Sequence, residues 1–151
     1  MKIAIASDHK GYHLKTTLLS YLKKKKYEVL DLGTDTVFSV DYPKYAFELC
    51  EKISNKEVEL GIVICGTGIG ISIACNKVKG IRCAKVDNAK EAELTRLHNN
   101  ANVLALNGNM FSYRAKDIVD AFLKTAFSNE ERHVRRLKMI EDYEEGNYNE
   151  C

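Results

Sequence analysis

The chain has 151 residues, of which 45% are hydrophobic and 29% charged, a balance typical of one globular domain with its own core. Its net charge of +2 is too small to indicate binding to nucleic acid or to an anionic membrane. No apolar run approaches the roughly 18 residues of a membrane span, and the N-terminal apolar stretch is too short for a signal peptide, so we expect a cytoplasmic protein.

The hydrophobic pattern predicts strands and helices that alternate along the chain. Short apolar or alternating runs predict strands at 2–6, 27–33, 59–65, 81–86 and 102–107. Leucines four residues apart mark a helix over 10–25, and further helices are expected at 42–54, from the glycines to 76, and at 88–98, 112–126 and 130–145. This alternation, with short connections and no linker, predicts a single domain over 1–151: a five-stranded parallel sheet with helices on both faces.

In such sheets ligands bind at the carboxyl ends of the strands, near the point where the strand order reverses. The candidates are therefore the residues that follow strands: 7–9, 65–70, 87–88 and 107–109. His98 and Asn99 instead precede the fifth strand, at its opposite end. They would have to reach such a site by another route, for example across a subunit interface.

The segment Cys65–Gly70 reads CGTGIG and is the densest candidate. Ile71 stands where a dinucleotide fingerprint needs a third glycine or alanine, and no Gly-Lys-Ser/Thr follows, which excludes a P-loop. Glycines without a Cβ let backbone N–H groups point into a cavity, where they could stabilise a phosphate or a transient enediolate. A tight strand-to-helix turn would explain the same glycines equally well.

Cys65 closes the third predicted strand. A cysteine there is ordinarily a small buried hydrophobe, but a helix N-terminus beside it favours the thiolate, which can act as a base or nucleophile. Thr67 could bond a substrate oxygen or its own backbone. The five cysteines are odd in number and form no Cys-x-x-Cys pair, which argues against a disulfide framework and a zinc site. Cys50, Cys75 and Cys83 are expected in the core.

Polar side chains elsewhere have both structural and functional interpretations. Asp8 could cap a helix or bind sugar hydroxyls, and His9 could be a surface residue or bind phosphate. His98 could simply complement the C-terminus of its helix.

The last predicted helix carries two arginines on one face. Arg132 and Arg136 could form a phosphate clamp or belong to a charged, solvated face. Val134 and Leu137 are expected to bury on the opposite side, with His133 on the surface.

Several motifs occur in order over nearly the whole chain: SDHKG, DYP (41–43), CGTGIGISIACNK (65–77), GIR (80–82), TRLHNNANVLAL (95–106) and RHVRRL (132–137). In this order and spacing the sequence resembles the type B ribose-5-phosphate isomerases, a family that also holds galactose-6-phosphate and allose-6-phosphate isomerases. The resemblance implies a Rossmann-like (flavodoxin-like) sheet with an extra C-terminal helix, no metal and no organic cofactor. It also implies a homodimer, sometimes a dimer of dimers, with shared active sites.

The resemblance further implies roles for the residues that match the family pattern. Cys65 is similar to the base that moves a proton between C1 and C2, and Thr67 and His98 match residues that assist ring opening. The enediolate cradle would comprise Gly66, Gly68, Ile69, Gly70 and Ser72. The sugar-hydroxyl contacts would be Asp8, Tyr42 and Asn99, and the phosphate contacts His9, Arg132 and Arg136.

Three departures from the family pattern leave the preferred sugar open. Asn100 stands where the family often has Asp, and the segment KVDNAKEA after the fourth strand is more polar than usual. Asn109 replaces a common arginine, so one phosphate contact is missing unless Arg135 compensates. A six-carbon sugar phosphate isomerase is an alternative, and a nucleotide- or flavin-binding module is the alternative without catalysis.

Overall fold

The structure is a computed structural model that describes residues 1–149; Glu150 and Cys151 lie outside the described residues. Its strands are β1 (Lys2–Ser7), β2 (Glu28–Asp31), β3 (Leu60–Cys65), β4 (Cys83–Lys85) and β5 (Val103–Asn107). Its helices are α1 (Tyr12–Lys24), α2 (Tyr42–Ser54), α3 (Ile69–Cys75), α4 (Ala89–Asn99), α5 (Ser112–Lys124) and α6 (Glu131–Glu144). Every predicted strand and helix is present, with ends displaced by at most two residues. Within residues 1–149 no helix combines the length and apolarity needed to cross a membrane.

All five strands are parallel, in the order β2-β1-β3-β5-β4. The parallel α/β sheet is confirmed, but β5 lies between β3 and β4, whereas the flavodoxin order places β4 there. The chain leaves β1 towards one edge of the sheet and leaves β3 towards the other. Their carboxyl ends therefore flank the point where the strand order reverses, which is where ligands of such sheets bind.

Two hydrophobic clusters cover the two faces of the sheet. Helices α1, α4 and α5 pack on the face that carries Ile3 and Ile5, whereas α2 and α3 pack on the face that carries Ala4 and Ala6. All six residues of β3 are buried, as its continuous apolar run predicts for a strand covered on both faces. Burying each large aliphatic side chain contributes about 1.5–3 kcal/mol, so this central strand is a rigid support for the turn that follows it.

Helix α6 packs on α4 through a face that the sequence pattern did not identify. Leu137 is buried as expected, but Val134 is 46% exposed, and His133 is buried with only 4% exposed. The expectations for Val134 and His133 are therefore wrong. Residues four apart share a helix face, so 133 and 137 point to α4, while 134 lies about 100° further round the helix.

Candidate active site

The turns after β1, β3 and β5 meet at the carboxyl edge of the sheet. The Asp8 N–H donates to the carbonyl of Ile64 (3.1 Å), and the Gly108 N–H donates to the carbonyl of Cys65 (2.8 Å). These bonds continue the hydrogen-bond ladders of the sheet past the strand ends, and they connect the turns after β1 and β5 to β3. Three of the four segments predicted to follow strands, 7–9, 65–70 and 107–109, are thus joined to one another by backbone hydrogen bonds.

Cys65 lies at the centre of this edge. Its side chain is almost fully buried, and its sulfur accepts a hydrogen bond from the Gly68 N–H at 3.2 Å. This bond fixes the position of the sulfur beside the turn. Among the core cysteines, a hydrogen bond with the Cys75 thiol, and then burial, raises the pKa of Cys50 far above its usual value and keeps it a thiol.

Gly68 has a backbone conformation that requires glycine. Its φ is +78°, and a Cβ there would lie 2.9 Å from the carbonyl carbon of Leu106, on the neighbouring strand. At Gly70 the constraint is a side-chain contact alone, because a Cβ would lie 2.8 Å from Cζ of the Tyr42 ring. The glycines therefore let the turn fit between β5 and Tyr42, which places the phenol directly beside the turn.

The peptide planes of the turn direct their N–H groups towards one side. The carbonyl of Cys65 accepts from the Gly108 N–H, and the carbonyl of Gly66 accepts from Asn109 Nδ2 at 3.2 Å. Since C=O and N–H of a trans peptide point in opposite directions, the N–H groups of Gly66 and Thr67 point away from β5. Neither group, nor the Gly70 N–H, has a hydrogen-bond acceptor within residues 1–149. Such donors can stabilise a developing anion.

The remaining residues of the turn make local hydrogen bonds. Thr67 Oγ1 accepts from the Ile69 N–H (3.1 Å), which leaves its own hydroxyl hydrogen available to a ligand. The Ser72 hydroxyl donates to the Ile69 carbonyl (2.7 Å), so the first turn of α3 already satisfies it. Ile69 exposes 54% of its surface and can offer a ligand its backbone.

Asp8 and His9 combine structural and functional features. Asp8 is 5% exposed, and its Oδ1 accepts from the N–H groups of Lys10 (2.9 Å) and Gly11 (3.1 Å), which leaves Oδ2 for another partner. His9 Nδ1 accepts from the Val40 N–H at 3.2 Å. That bond requires an unprotonated Nδ1, so the neutral ring carries its hydrogen on Nε2 and offers it as a donor.

The other predicted site residues lie elsewhere. Helix α4 starts after the carboxyl end of β4 and runs back, so His98 and Asn99 lie at the amino edge of the sheet. The side chain of Arg82, just before β4, donates to the Asn99 carbonyl at 3.1 Å, which fixes that location. Arg132 and Arg136 are exposed on α6, which begins beside the end of α4. One chain therefore brings together at the carboxyl edge Asp8, His9, Tyr42 and residues 65–72. The other predicted site residues lie away from this edge: His98, Asn99, Arg132 and Arg136.

Three side chains have roles that the sequence pattern does not predict. Asn109 is expected only to leave a phosphate contact missing, yet it supports the Gly66 peptide across 43 residues of sequence. Asn100 ends α4 with φ +43°, a left-handed conformation that asparagine tolerates well. An Asn directly after the last helical residue is a signal that could have predicted this cap. His133 had no comparable signal.

The described residues contain no group of three or more His, Cys, Asp or Glu side chains arranged to hold a metal ion. The carboxyl-edge residues offer a thiol, an imidazole, hydroxyls and backbone N–H donors. With these groups they can move protons and stabilise an anion.

The fold and site define a parallel α/β protein whose side chains and backbone donors can perform acid–base chemistry. The sequence profile of the Ribose/Galactose Isomerase family matches residues 3–140, and the chain belongs to this family. A putative sugar phosphate isomerase of Bacillus subtilis is 46% identical over 149 residues, 97% of this chain and 99% of the relative.

Solved structures of similar proteins agree with this assignment. The ribose-5-phosphate isomerase B of Clostridium thermocellum has a TM-score of 0.94 and 48% identity, covering 97% of this chain and 99% of that one. The Mycoplasma genitalium ribose-5-phosphate isomerase B, solved with bound ribulose-5-phosphate, has a TM-score of 0.90 and 44% identity, covering 95% and 96%.

Proposed function

We propose that this protein interconverts ribose 5-phosphate and ribulose 5-phosphate. The observation that carries the proposal is the arrangement at Cys65: a sulfur that accepts an N–H bond, directly beside backbone donors that lack an acceptor in the chain. Aldose–ketose isomerisation needs a base and an anion-stabilising site side by side. Membership of an isomerase family supports this function over a flavin- or nucleotide-binding module.

In the proposed reaction, the Cys65 thiolate removes the proton from C2 of the open-chain aldose. The electrons of that C–H bond form the C1–C2 double bond, and the carbonyl oxygen at C1 takes the negative charge of the enediolate. The N–H groups of Gly66, Thr67 and Gly70 would stabilise that charge. The thiol then returns the proton to C1, while the proton of the C2 hydroxyl passes to the oxygen on C1. C1 thereby gains its hydroxyl and C2 becomes the carbonyl of the ketose. One base serves both carbons because they are adjacent.

Other residues would hold the substrate and open its ring. The free Oδ2 of Asp8, the Tyr42 phenol and Asn99 would bind sugar hydroxyls. His9 Nε2–H would donate to the phosphate, together with Arg132 and Arg136 as charged donors. Fixing this remote group aligns the reacting carbons with Cys65, which converts binding energy into rate. The Thr67 hydroxyl and His98 would transfer the proton when the ring opens.

This assignment requires a homodimer, because His98 and Cys65 lie at opposite edges of the sheet in one chain. Exposed apolar side chains support such an assembly. Ile69 and Ile73 of α3 are 54% and 56% exposed, and Val134, Ile140 and Tyr143 of α6 are 46%, 49% and 74% exposed. Apolar surface of this kind on two helices is typical of a subunit interface. We further propose a cytoplasmic location, where the thiols of Cys50, Cys65 and Cys75 would remain reduced.

The function can be tested with a panel of sugar phosphates. We expect turnover of ribose 5-phosphate to exceed that of allose 6-phosphate and galactose 6-phosphate, measured at equal enzyme concentration and across substrate concentrations. A six-carbon substrate with the highest kcat/KM would overturn the pentose assignment. Absence of turnover with all three, together with flavin absorbance in the purified protein, would overturn the isomerase assignment itself.

A further inference from the structure

His133 is an unusual residue for its position on α6. Most of the helix is charged and exposed, yet this imidazole is only 4% exposed. Its ring centroid lies 4.4 Å from that of His98 on α4, with the ring planes inclined at 40°. The contact covers one face of His98, which itself remains half-buried.

Ser128, in the connection between α5 and α6, holds His133 from the other side. The Ser128 Oγ lies 2.9 Å from His133 Nδ1. The backbone N–H of Ser128 donates to the carbonyl of Leu97 at 3.1 Å, and Leu97 is the chain neighbour of His98. A closed path of contacts therefore runs from the backbone beside His98, through Ser128 and His133, back to the His98 ring. Such a path restricts both the position of the helix end and the rotamer of the imidazole.

Burial and the surrounding charges favour the neutral form of the His133 ring. Burial first, and then the neighbouring His98, Arg132 and Arg136, lower the pKa of His133, while Glu130 acts in the opposite direction. Ser128 Oγ meets the requirement of the neutral ring for a partner at Nδ1. A neutral His133 ring adds no positive charge to the stack with His98.

We propose that His133 is a positioning residue: its stack on His98, anchored by Ser128, holds the His98 imidazole in the orientation that ring opening requires. This inference rests on the proposed function, in which His98 handles the proton of the sugar ring at the site of the partner subunit. His133 touches neither substrate nor reacting atoms in this assignment. It acts only through His98.

Two substitutions separate the ring contact from the hydrogen bond. His133→Ala removes the stack, whereas His133→Phe keeps an aromatic face and loses only the Nδ1 bond. With ribose 5-phosphate, which is cyclic, we expect about a 10-fold loss of kcat in His133→Ala and about a 3-fold loss in His133→Phe, the scale of one lost packing or hydrogen-bond contact. KM should change less than twofold in both, roughly the limit for a change that leaves substrate binding intact.

Solvent deuterium exchange at C1 of ribulose 5-phosphate reports proton transfer without ring opening, because this ketose has no free hydroxyl placed to form a ring. We expect the exchange rate in His133→Ala to stay within about twofold of the unmodified protein, since the Cys65 site is untouched. An equal fall in exchange and in ribose 5-phosphate turnover would overturn the proposal and indicate a general structural defect. Full retention of ribose 5-phosphate turnover in His133→Ala would overturn it as well.

The NMR shifts of the His98 ring protons test the stack directly. We expect His133→Ala to move them towards values typical of an unstacked imidazole and His133→Phe to keep most of the ring-current shift. If His133→Ala does not fold, Ser128→Ala tests the same path, with an expected loss of about threefold in kcat on ribose 5-phosphate.

His98→Ala distinguishes failure of this inference from failure of the proposed function. If His98→Ala retains full turnover of ribose 5-phosphate, ring opening does not depend on His98, and the proposed role of that residue fails first. If His98→Ala is impaired while His133→Ala and Ser128→Ala are not, only the positioning role of His133 is overturned.

Discussion

The two groups of predicted site residues are built in different ways. At the carboxyl edge, backbone hydrogen bonds and close glycine contacts between three turns determine the positions of Cys65 and its neighbours. At the amino edge, His98 and the two arginines are side chains on helices, and both arginines are exposed. The carboxyl-edge region is a rigid group of turns with a thiol and backbone donors. The amino-edge region is a set of helical side chains available to a second molecule. This difference agrees with the proposed site, in which two identical subunits would each supply one part.

The carboxyl-edge region depends most on Cys65. We expect Cys65→Ala to reduce kcat on ribose 5-phosphate about 1,000-fold, within the range typical for the loss of a general base. The fold and the oligomeric state should persist, because the buried methyl group replaces a small, largely apolar side chain. Circular dichroism and sizing chromatography provide the control. Activity within tenfold of the unmodified protein would remove Cys65 from the mechanism.

Mixing two inactive variants tests how the regions are divided between subunits. In a dimer of Cys65→Ala with His98→Ala, one shared site has both residues intact and the other has neither. Random pairing of equal amounts makes half of the dimers mixed, so we expect about a quarter of the unmodified turnover to return. If each site instead takes Cys65 and His98 from a single subunit, every site in the mixed dimer lacks one of the two residues and no activity returns. Each variant unfolded and refolded alone is the control.

The Gly68 contact with β5 can be broken separately from the chemistry. The left-handed conformation costs a non-glycine residue about 1–2 kcal/mol, and the approach of a Cβ to Leu106 adds to this cost. We expect Gly68→Ala to lower the free energy of unfolding by roughly 2–4 kcal/mol in urea denaturation. Turnover should fall too, since the Gly68 N–H bonds the Cys65 sulfur.

Gly80 offers a matched control, because its φ is also +78° and a Cβ there would meet nothing within 4 Å. Gly80→Ala should therefore report the conformational cost alone. If the two substitutions lower stability equally, the packing of the turn against β5 contributes nothing to stability.

The positions of the site residues at the carboxyl edge could be predicted from the sequence better than the packing of those at the amino edge, for physical reasons. The fully apolar run before Cys65 identifies a central strand, and the end of a parallel strand locates the thiol at the binding edge. The same logic predicted that His98 lies at the opposite edge. A charged helix such as α6, however, has several faces of similar polarity, so burial of His133 rather than Val134 depends on the shape of α4. The insertion of β5 beside β3 also leaves no local pattern, because neighbouring strands are chosen by tertiary packing.

Asn109 tests the smallest of the backbone supports at the carboxyl edge. Its side-chain amide donates to the Gly66 carbonyl at 3.2 Å and is exposed, so we expect Asn109→Ala to reduce kcat by only about 2- to 10-fold, the value of one hydrogen bond. Asn109→Asp should be at least as impaired, because a carboxylate cannot donate this bond and places a negative charge near the enediolate.

Inhibition by inorganic phosphate separates this support role from a phosphate contact. If Asn109 orients the Gly66–Thr67 peptide, Asn109→Ala leaves the inhibition constant unchanged while kcat falls. A weaker inhibition with unchanged kcat would instead assign the amide to the phosphate, as the arginine common at this position in the family would suggest. Asn109→Arg is then the informative comparison. An arginine can restore a phosphate contact but is too long to reproduce the short bond to Gly66. If Asn109 supports the Gly66 peptide, Asn109→Arg therefore lowers kcat. If Asn109 contacts the phosphate, Asn109→Arg keeps kcat and strengthens inhibition by phosphate.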